Sequence, residues 1–174
     1  MKIGIYGGSF NPIHFGHIGL AEWVVNHTDL DEVWLMLSPN NPLKDNSILA
    51  NEQVRLQEAK DAIRRLGDQA KGIVVSDFEF QLPRPSYTAK TMRRLTQAYP
   101  QHEFTLIIGE DNLAIFDKWR EYQYILDNYR IFVYPRHGCN AYTIPPAKNL
   151  QVLSRATYFD ISSTEIRNEL HEKK

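Results

Sequence analysis

Gly7-Gly8-Ser9-Phe10-Asn11-Pro12-Ile13-His14-Phe15-Gly16-His17 decides the reading of this chain. The run before it, Ile3-Gly4-Ile5-Tyr6, is short and apolar like a buried strand. After it, Ile18, Leu20-Ala21 and Val24-Val25 recur at helical spacing. Strand, glycine turn and helix in succession put the loop at a strand's carboxyl end, where open α/β sheets bind ligands. Two residues without Cβ let a phosphate approach the backbone, and a new helix offers N–H groups and a positive dipole end. His14 and His17, three residues apart, share a face if both stand in or near the first turn. The loop lacks the Gly-x-Gly-x-x-Gly dinucleotide fingerprint and the Gly-Lys-Ser/Thr that closes a Walker A loop. The plain alternative is a glycine-rich helix start with two partly buried histidines. A metal reading has neither a His-Glu-x-x-His nor a nearby Cys behind it.

Working outward, Glu32-Val33-Trp34-Leu35-Met36-Leu37 reads as a central parallel strand, apolar on both faces. Two prolines stiffen Ser38 to Asp45, from which Lys44 reaches a triphosphate or simply faces solvent. Asn51 is a plausible N-cap for a helix whose inward stripe is Leu56, Ala59, Ala62-Ile63 and Leu66, stopped by Gly67. Ile73-Val74-Val75 is a third strand, Asp77 to Arg84 a loop, and Ser86 a candidate cap for a helix through Ala89, Met92, Leu95 and Tyr99. Phe104 to Ile108 is a fourth strand, followed by one or two short helices. Ile131 to Tyr134 is a fifth, Arg136 to Lys148 a loop, and Leu150 to Leu153 a short edge strand. Ser162 and Glu165 have capping-box spacing for a final helix. Such alternation predicts one α/β domain over residues 1–174: a Rossmann-like, doubly wound parallel sheet of five to six strands with flanking helices.

The 174 residues are enough for a sizeable core, and 43% hydrophobic with 24% charged residues suit a soluble globular chain. A net charge of −1 gives no support to an extended nucleic-acid surface, though a local basic pocket is compatible with it. The lone Cys139 excludes an intrachain disulfide and a cysteine zinc cluster. Neither a signal peptide nor a run of membrane-spanning length is present, so a cytoplasmic protein is expected.

His14-Phe15-Gly16-His17 resembles the signature of the nucleotidyltransferase superfamily, which includes the class I aminoacyl-tRNA synthetases. Ile161-Ser162-Ser163-Thr164-Glu165-Ile166-Arg167 resembles the second signature of its adenylyltransferase branch. Within that branch nearly the whole chain is similar to bacterial nicotinate-nucleotide adenylyltransferases. The likeness rests on Gly7 to His17, Pro39 to Lys44, Arg55-Leu56, Ser86 to Thr88, and Gly109, Asp111 and Trp119. Arg120 departs from the pattern, standing where many members have an aromatic.

The resemblance implies that ATP and nicotinic acid mononucleotide are joined to give nicotinic acid adenine dinucleotide and pyrophosphate, a step of NAD biosynthesis. It implies catalysis by His14, His17, Lys44 and Arg167. It assigns ATP to Gly8, Ser9, Phe10, His17, Asp111, Ser162, Ser163 and Arg167. The mononucleotide falls to Asn11, Lys44, Thr88, Trp119, Arg120 and Arg136, with Trp119 stacked on the ring and backbone N–H groups near Thr88 and Arg120 taking its carboxylate. Asp111 would accept from a ribose hydroxyl or cap a helix. Mg²⁺ would be carried by phosphate oxygens and water, without a dedicated metal site. Neither nucleic acid nor membrane is an expected partner, and a homo-oligomer is left open. The competing readings are the same chemistry on nicotinamide mononucleotide, phosphopantetheine or a flavin, a non-catalytic nucleotide sensor, and a synthetase fragment.

Overall fold

In the computed structural model, which describes residues 1–39, 51–136 and 148–153, six strands form one sheet. They are β1 (Lys2–Gly8), β2 (Glu32–Leu37), β3 (Ile73–Ser76), β4 (Glu103–Gly109), β5 (Arg130–Tyr134) and β6 (Leu150–Val152). The order is β3-β2-β1-β4-β5-β6 and every neighbouring pair is parallel. The winding direction reverses between β1 and β4, which opens a crevice at their carboxyl ends.

Alternation along the strands builds two cores. Tyr6, Val33, Leu35 and Leu37 point to the face covered by α1 (Phe15–His27) and α2 (Glu52–Leu66), against Leu20, Val24, Leu56 and Ala59. Ile3, Ile5, Met36, Leu106 and Ile108 point the other way. There they meet Met92 and Leu95 of α3 (Thr88–Ala98) and Ile125 of a later helix. Each such side chain removed from water contributes about 1.5–3 kcal/mol, so the doubly covered sheet is the stable arrangement for strands apolar on both faces.

The local signals mostly hold. The Asn51 side chain accepts from the Gln53 N–H at 2.8 Å, and Gly67 ends α2 at φ 57°, a left-handed conformation cheap only for glycine. Three expectations are corrected. β1 continues through Gly7 and Gly8, which pair in register with Met36 and Leu37, so the loop proper begins at Ser9. Ser86 does not cap α3: the N-cap is Tyr87, and the Ser86 hydroxyl donates instead to Glu79 at 3.3 Å. Asp77 to Arg84 contains a 3₁₀ turn, Phe78–Gln81. The short-helix region resolves into α4 (Glu110–Leu113), a 3₁₀ turn at Phe116–Lys118, and α5 (Tyr122–Asn128). The expectations placed on Lys44, Cys139, Ser162, Ser163, Glu165 and Arg167 lie outside the described residues. Among the described residues no helix is long and apolar enough to cross a membrane.

Candidate active site at the β1–β4 crevice

His14 is the N-cap of α1 and His17 its third residue, so both stand in the first turn. The Gly16 N–H donates to His14 Nδ1 at 3.1 Å, and the His14 N–H donates to His17 Nδ1 at 3.1 Å. This is a capping box built from two imidazoles, and it fixes their tautomers. Each Nδ1 is an acceptor, so each ring carries its proton on Nε2 and presents an Nε2–H donor. The rings stack with centroids 3.6 Å apart and 23° between planes. Burial, then His14, then the Arg136 charge push the His17 pKa down to about 3, so His17 is a neutral donor at physiological pH.

Phe10 holds this turn in place. Its φ of 48° lies in the left-handed region, costly for a bulky residue by about 1–2 kcal/mol. Its buried ring meets Tyr6 and His17 edge-on, at 5.6 and 4.8 Å between centroids, which offsets that cost. Anything Phe10 offers a ligand is therefore backbone, since the side chain belongs to the core.

Arg136 stands close enough to His17 for its charge to act on that ring, and Asp111 stands near Arg136. The Arg136 N–H donates to Glu110 Oε1 at 3.0 Å. Burial works against its guanidinium charge, but Asp111 and Tyr134 more than offset this and leave its pKa raised. Asp111 is exposed and is the second residue of α4, whose N-cap is Gly109, so the capping alternative for Asp111 does not hold. A Cβ on Gly109 would fall 2.4 Å from Asp111 Oδ1 and 3.0 Å from the Tyr134 ring. Only glycine lets that carboxylate fold over the end of β4.

From the crevice a cavity of about 780 Å³ opens toward α3. Its wall includes Gly8, Ser9, Thr88, Trp119 and Arg120, so five of the residues singled out from the sequence converge on one space. Trp119 is half-buried against Phe116, with ring centroids 4.9 Å apart. It ends a 3₁₀ turn rather than starting a helix, and its own N–H donates to the Phe116 carbonyl at 3.0 Å. No side chain among the described residues caps α3 at Thr88. His14, His17, Phe10, Asn11, Asp111 and Arg136 are not on this wall.

Two residues with no role read from the sequence also shape the site. Arg55, completely buried on α2, donates to the Ser9 carbonyl at 2.8 Å and the Ser38 carbonyl at 2.9 Å. It ties the loop after β1 to the segment after β2. A charged residue facing inward on a helix stripe was the available signal. Glu79 lines the cavity; burial raises its pKa to about 7, against the lowering by hydrogen bonds from Ser86 and Thr91.

A parallel sheet with a histidine-capped helix at its switch point is the arrangement of a nucleotidyltransferase, and the cytidylyltransferase-like family profile matches residues 5–169. Full-length relatives narrow this. A protein of Flavobacterium johnsoniae named "Probable nicotinate-nucleotide adenylyltransferase" is 45% identical, the alignment covering 100% of this chain and 89% of the relative. One of the same name from Bacteroides fragilis is 46% identical over 97% of this chain and 82% of its own. The chain belongs to the nicotinate-nucleotide adenylyltransferase family. A Plasmodium falciparum nicotinic acid mononucleotide adenylyltransferase complexed with NaAD shares the fold, with a TM-score of 0.77 at 21% identity over 96% of this chain and 82% of that one.

Proposed function

We propose that the chain transfers the adenylyl group of ATP to the phosphate of nicotinic acid mononucleotide, giving the acid dinucleotide and pyrophosphate. The observation that carries this is the stacked pair of imidazoles, each accepting a backbone N–H at Nδ1, at the switch point of the sheet. A mononucleotide phosphate oxygen attacks the α-phosphorus of ATP in line, and the bond to the pyrophosphate oxygen breaks. No enzyme nucleophile takes part, so positioning and charge stabilisation supply the rate.

His14 and His17 donate Nε2–H to the transferring phosphate as its charge redistributes. Neutral donors do this without altering their own protonation. Arg136 faces the mononucleotide phosphate where it meets the α-phosphate, and Asn11 lines that junction. Gly8, Ser9 and the Phe10 backbone follow the ATP phosphates, and Asp111 accepts from a ribose hydroxyl. Lys44, Ser162, Ser163 and Arg167 are assigned to the triphosphate, Lys44 and Arg167 neutralising the departing pyrophosphate.

Asp111 is an exposed carboxylate. A Mg²⁺ carried in on phosphate oxygens and water would neutralise phosphate charge. The nicotinate ring lies on Trp119. Its carboxylate meets the Thr88 N–H at the uncapped start of α3 and the Arg120 N–H.

The test is turnover of nicotinic acid mononucleotide, nicotinamide mononucleotide and phosphopantetheine in parallel, each with ATP and Mg²⁺, read as pyrophosphate release. Preference for the acid mononucleotide is the expected result. Preference for another acceptor overturns the substrate assignment, and no release from any overturns the chemistry.

A further inference from the structure

The outward face of α3 carries a feature that adenylyl transfer does not use. Lys90, Arg93, Arg94 and Gln97 follow the i, i+3, i+4, i+7 pattern, a single stripe opposite the buried Ala89, Met92 and Leu95. With Arg84 and Arg120 they line a cavity of about 580 Å³ in which Glu121 is the one carboxylate. Five cations against one anion in a single cavity is a sharp local excess in a chain of net charge −1.

Two of the five are already engaged. Arg93 bonds Glu121 at 3.0 Å, and Arg84 reaches across to Glu52 on α2 at 2.9 Å. Among the described residues no carboxylate pairs with Lys90, Arg94 or Arg120. Like charges at i, i+3 and i+4 destabilise a helix, and a bound anion would relieve that. Arg120 lies over the Tyr87 ring, 4.9 Å from guanidinium carbon to centroid. Both residues line this cavity and the substrate cavity, so the stacked pair forms a shared wall.

We infer that the groove between α3 and Arg120 is a second anion site, adjoining the substrate cavity across a shared wall, for a small molecule carrying a run of phosphates. A groove of this volume suits a small ligand rather than a long polymer. Planar guanidinium groups around it suit bidentate phosphate recognition. The site goes beyond the adenylyl-transfer reading and does not depend on turnover.

The test uses inorganic tripolyphosphate, titrated calorimetrically into the full chain saturated with nicotinic acid adenine dinucleotide so that the mononucleotide and adenylyl positions are filled. The parent should bind one equivalent beyond any taken by the pyrophosphate positions, more weakly as salt rises. The Lys90→Ala/Arg94→Ala double variant should bind at least tenfold more weakly, and Arg94→Lys should fall between the two. Turnover of ATP and mononucleotide without tripolyphosphate should be unchanged in the double variant, which also shows that it folds. Loss of binding when dinucleotide is present would assign the anion to the substrate cavity and overturn the proposal. So would equal affinity in parent and double variant, or tighter binding of single-stranded RNA than of tripolyphosphate.

Discussion

Two helices begin at the edge of the same crevice, and they begin differently. At α1 the first turn is closed by its own side chains: His14 takes the Gly16 N–H, and His17 takes the N–H of His14. At α3 no side chain among the described residues caps the first turn, and the Ser86 hydroxyl is turned away to Glu79. Where the backbone is satisfied internally, the side chains become the donors offered to a ligand. Where it is left open, the backbone N–H groups are the donors themselves. In the proposed reaction the first kind of start would present Nε2–H groups to a changing charge, and the second an anion-binding end to a fixed one.

The sharpest way to break this contrast is at the closed start. His17→Ala removes one of the stacked donors and opens the cap, and kcat should fall on the order of a hundredfold or more with the circular-dichroism spectrum retained. A variant with normal kcat would remove His17 from the mechanism.

The open start is probed by substrate choice. The carboxylate of the acid mononucleotide only accepts, whereas the amide would turn an NH₂ donor toward backbone donors. At about 1–3 kcal/mol per stranded group, kcat/KM should favour the acid by about two decades. Trp119→Ala should weaken both mononucleotides and leave their ratio unchanged, because both rings present similar faces to the indole. A ratio that collapses in this variant would move the selectivity from the α3 backbone to the tryptophan.

Protonation separates the two ends further. His17, at about 3 when folded against 6.5 unfolded, resists charging in the native state. Its contribution is complete above pH 6.5 and is lost as pH falls from there toward 3, of order a few kcal/mol. Denaturant titrations across that range should show this loss in the parent and not in His17→Asn. Glu79 has the opposite sign. Its pKa of about 7 against 4.5 unfolded makes its ionisation a cost that begins above pH 4.5 and is complete above 7. Glu79→Gln should therefore add about 3 kcal/mol at pH 8 and nothing at pH 4. A gain independent of pH would point to packing instead.

The closed end was the more legible in the sequence, for a physical reason. A cap and its box span four residues, so His14 and His17 reveal their geometry by spacing alone, as Asn51 does on α2. The central strands were equally plain, because strands covered on both faces are continuous apolar runs. Contacts made across the fold were not legible. Arg55 meets its carbonyls 17 and 46 positions away, and periodicity carries no trace of that. Ser86 had the right residue type for a cap, yet its hydroxyl turned to a carboxylate on another turn. Trp119 was named from its motif, but its place at the end of a 3₁₀ turn was not legible, since such a turn leaves no stripe to read.

The His17 imidazole has His14 stacked at 3.6 Å, with Phe10 at 4.8 Å and Tyr6 at 6.2 Å between centroids. Circulating π electrons in the two phenyl-type rings and in the stacked imidazole act on the same few ring protons. Their magnetic resonances should therefore stand apart from those of the other five histidines. The protein thus carries an unlabelled reporter at the place where the phosphates are expected to meet. Its line should shift when either nucleotide arrives alone, which makes the order of binding readable from one signal.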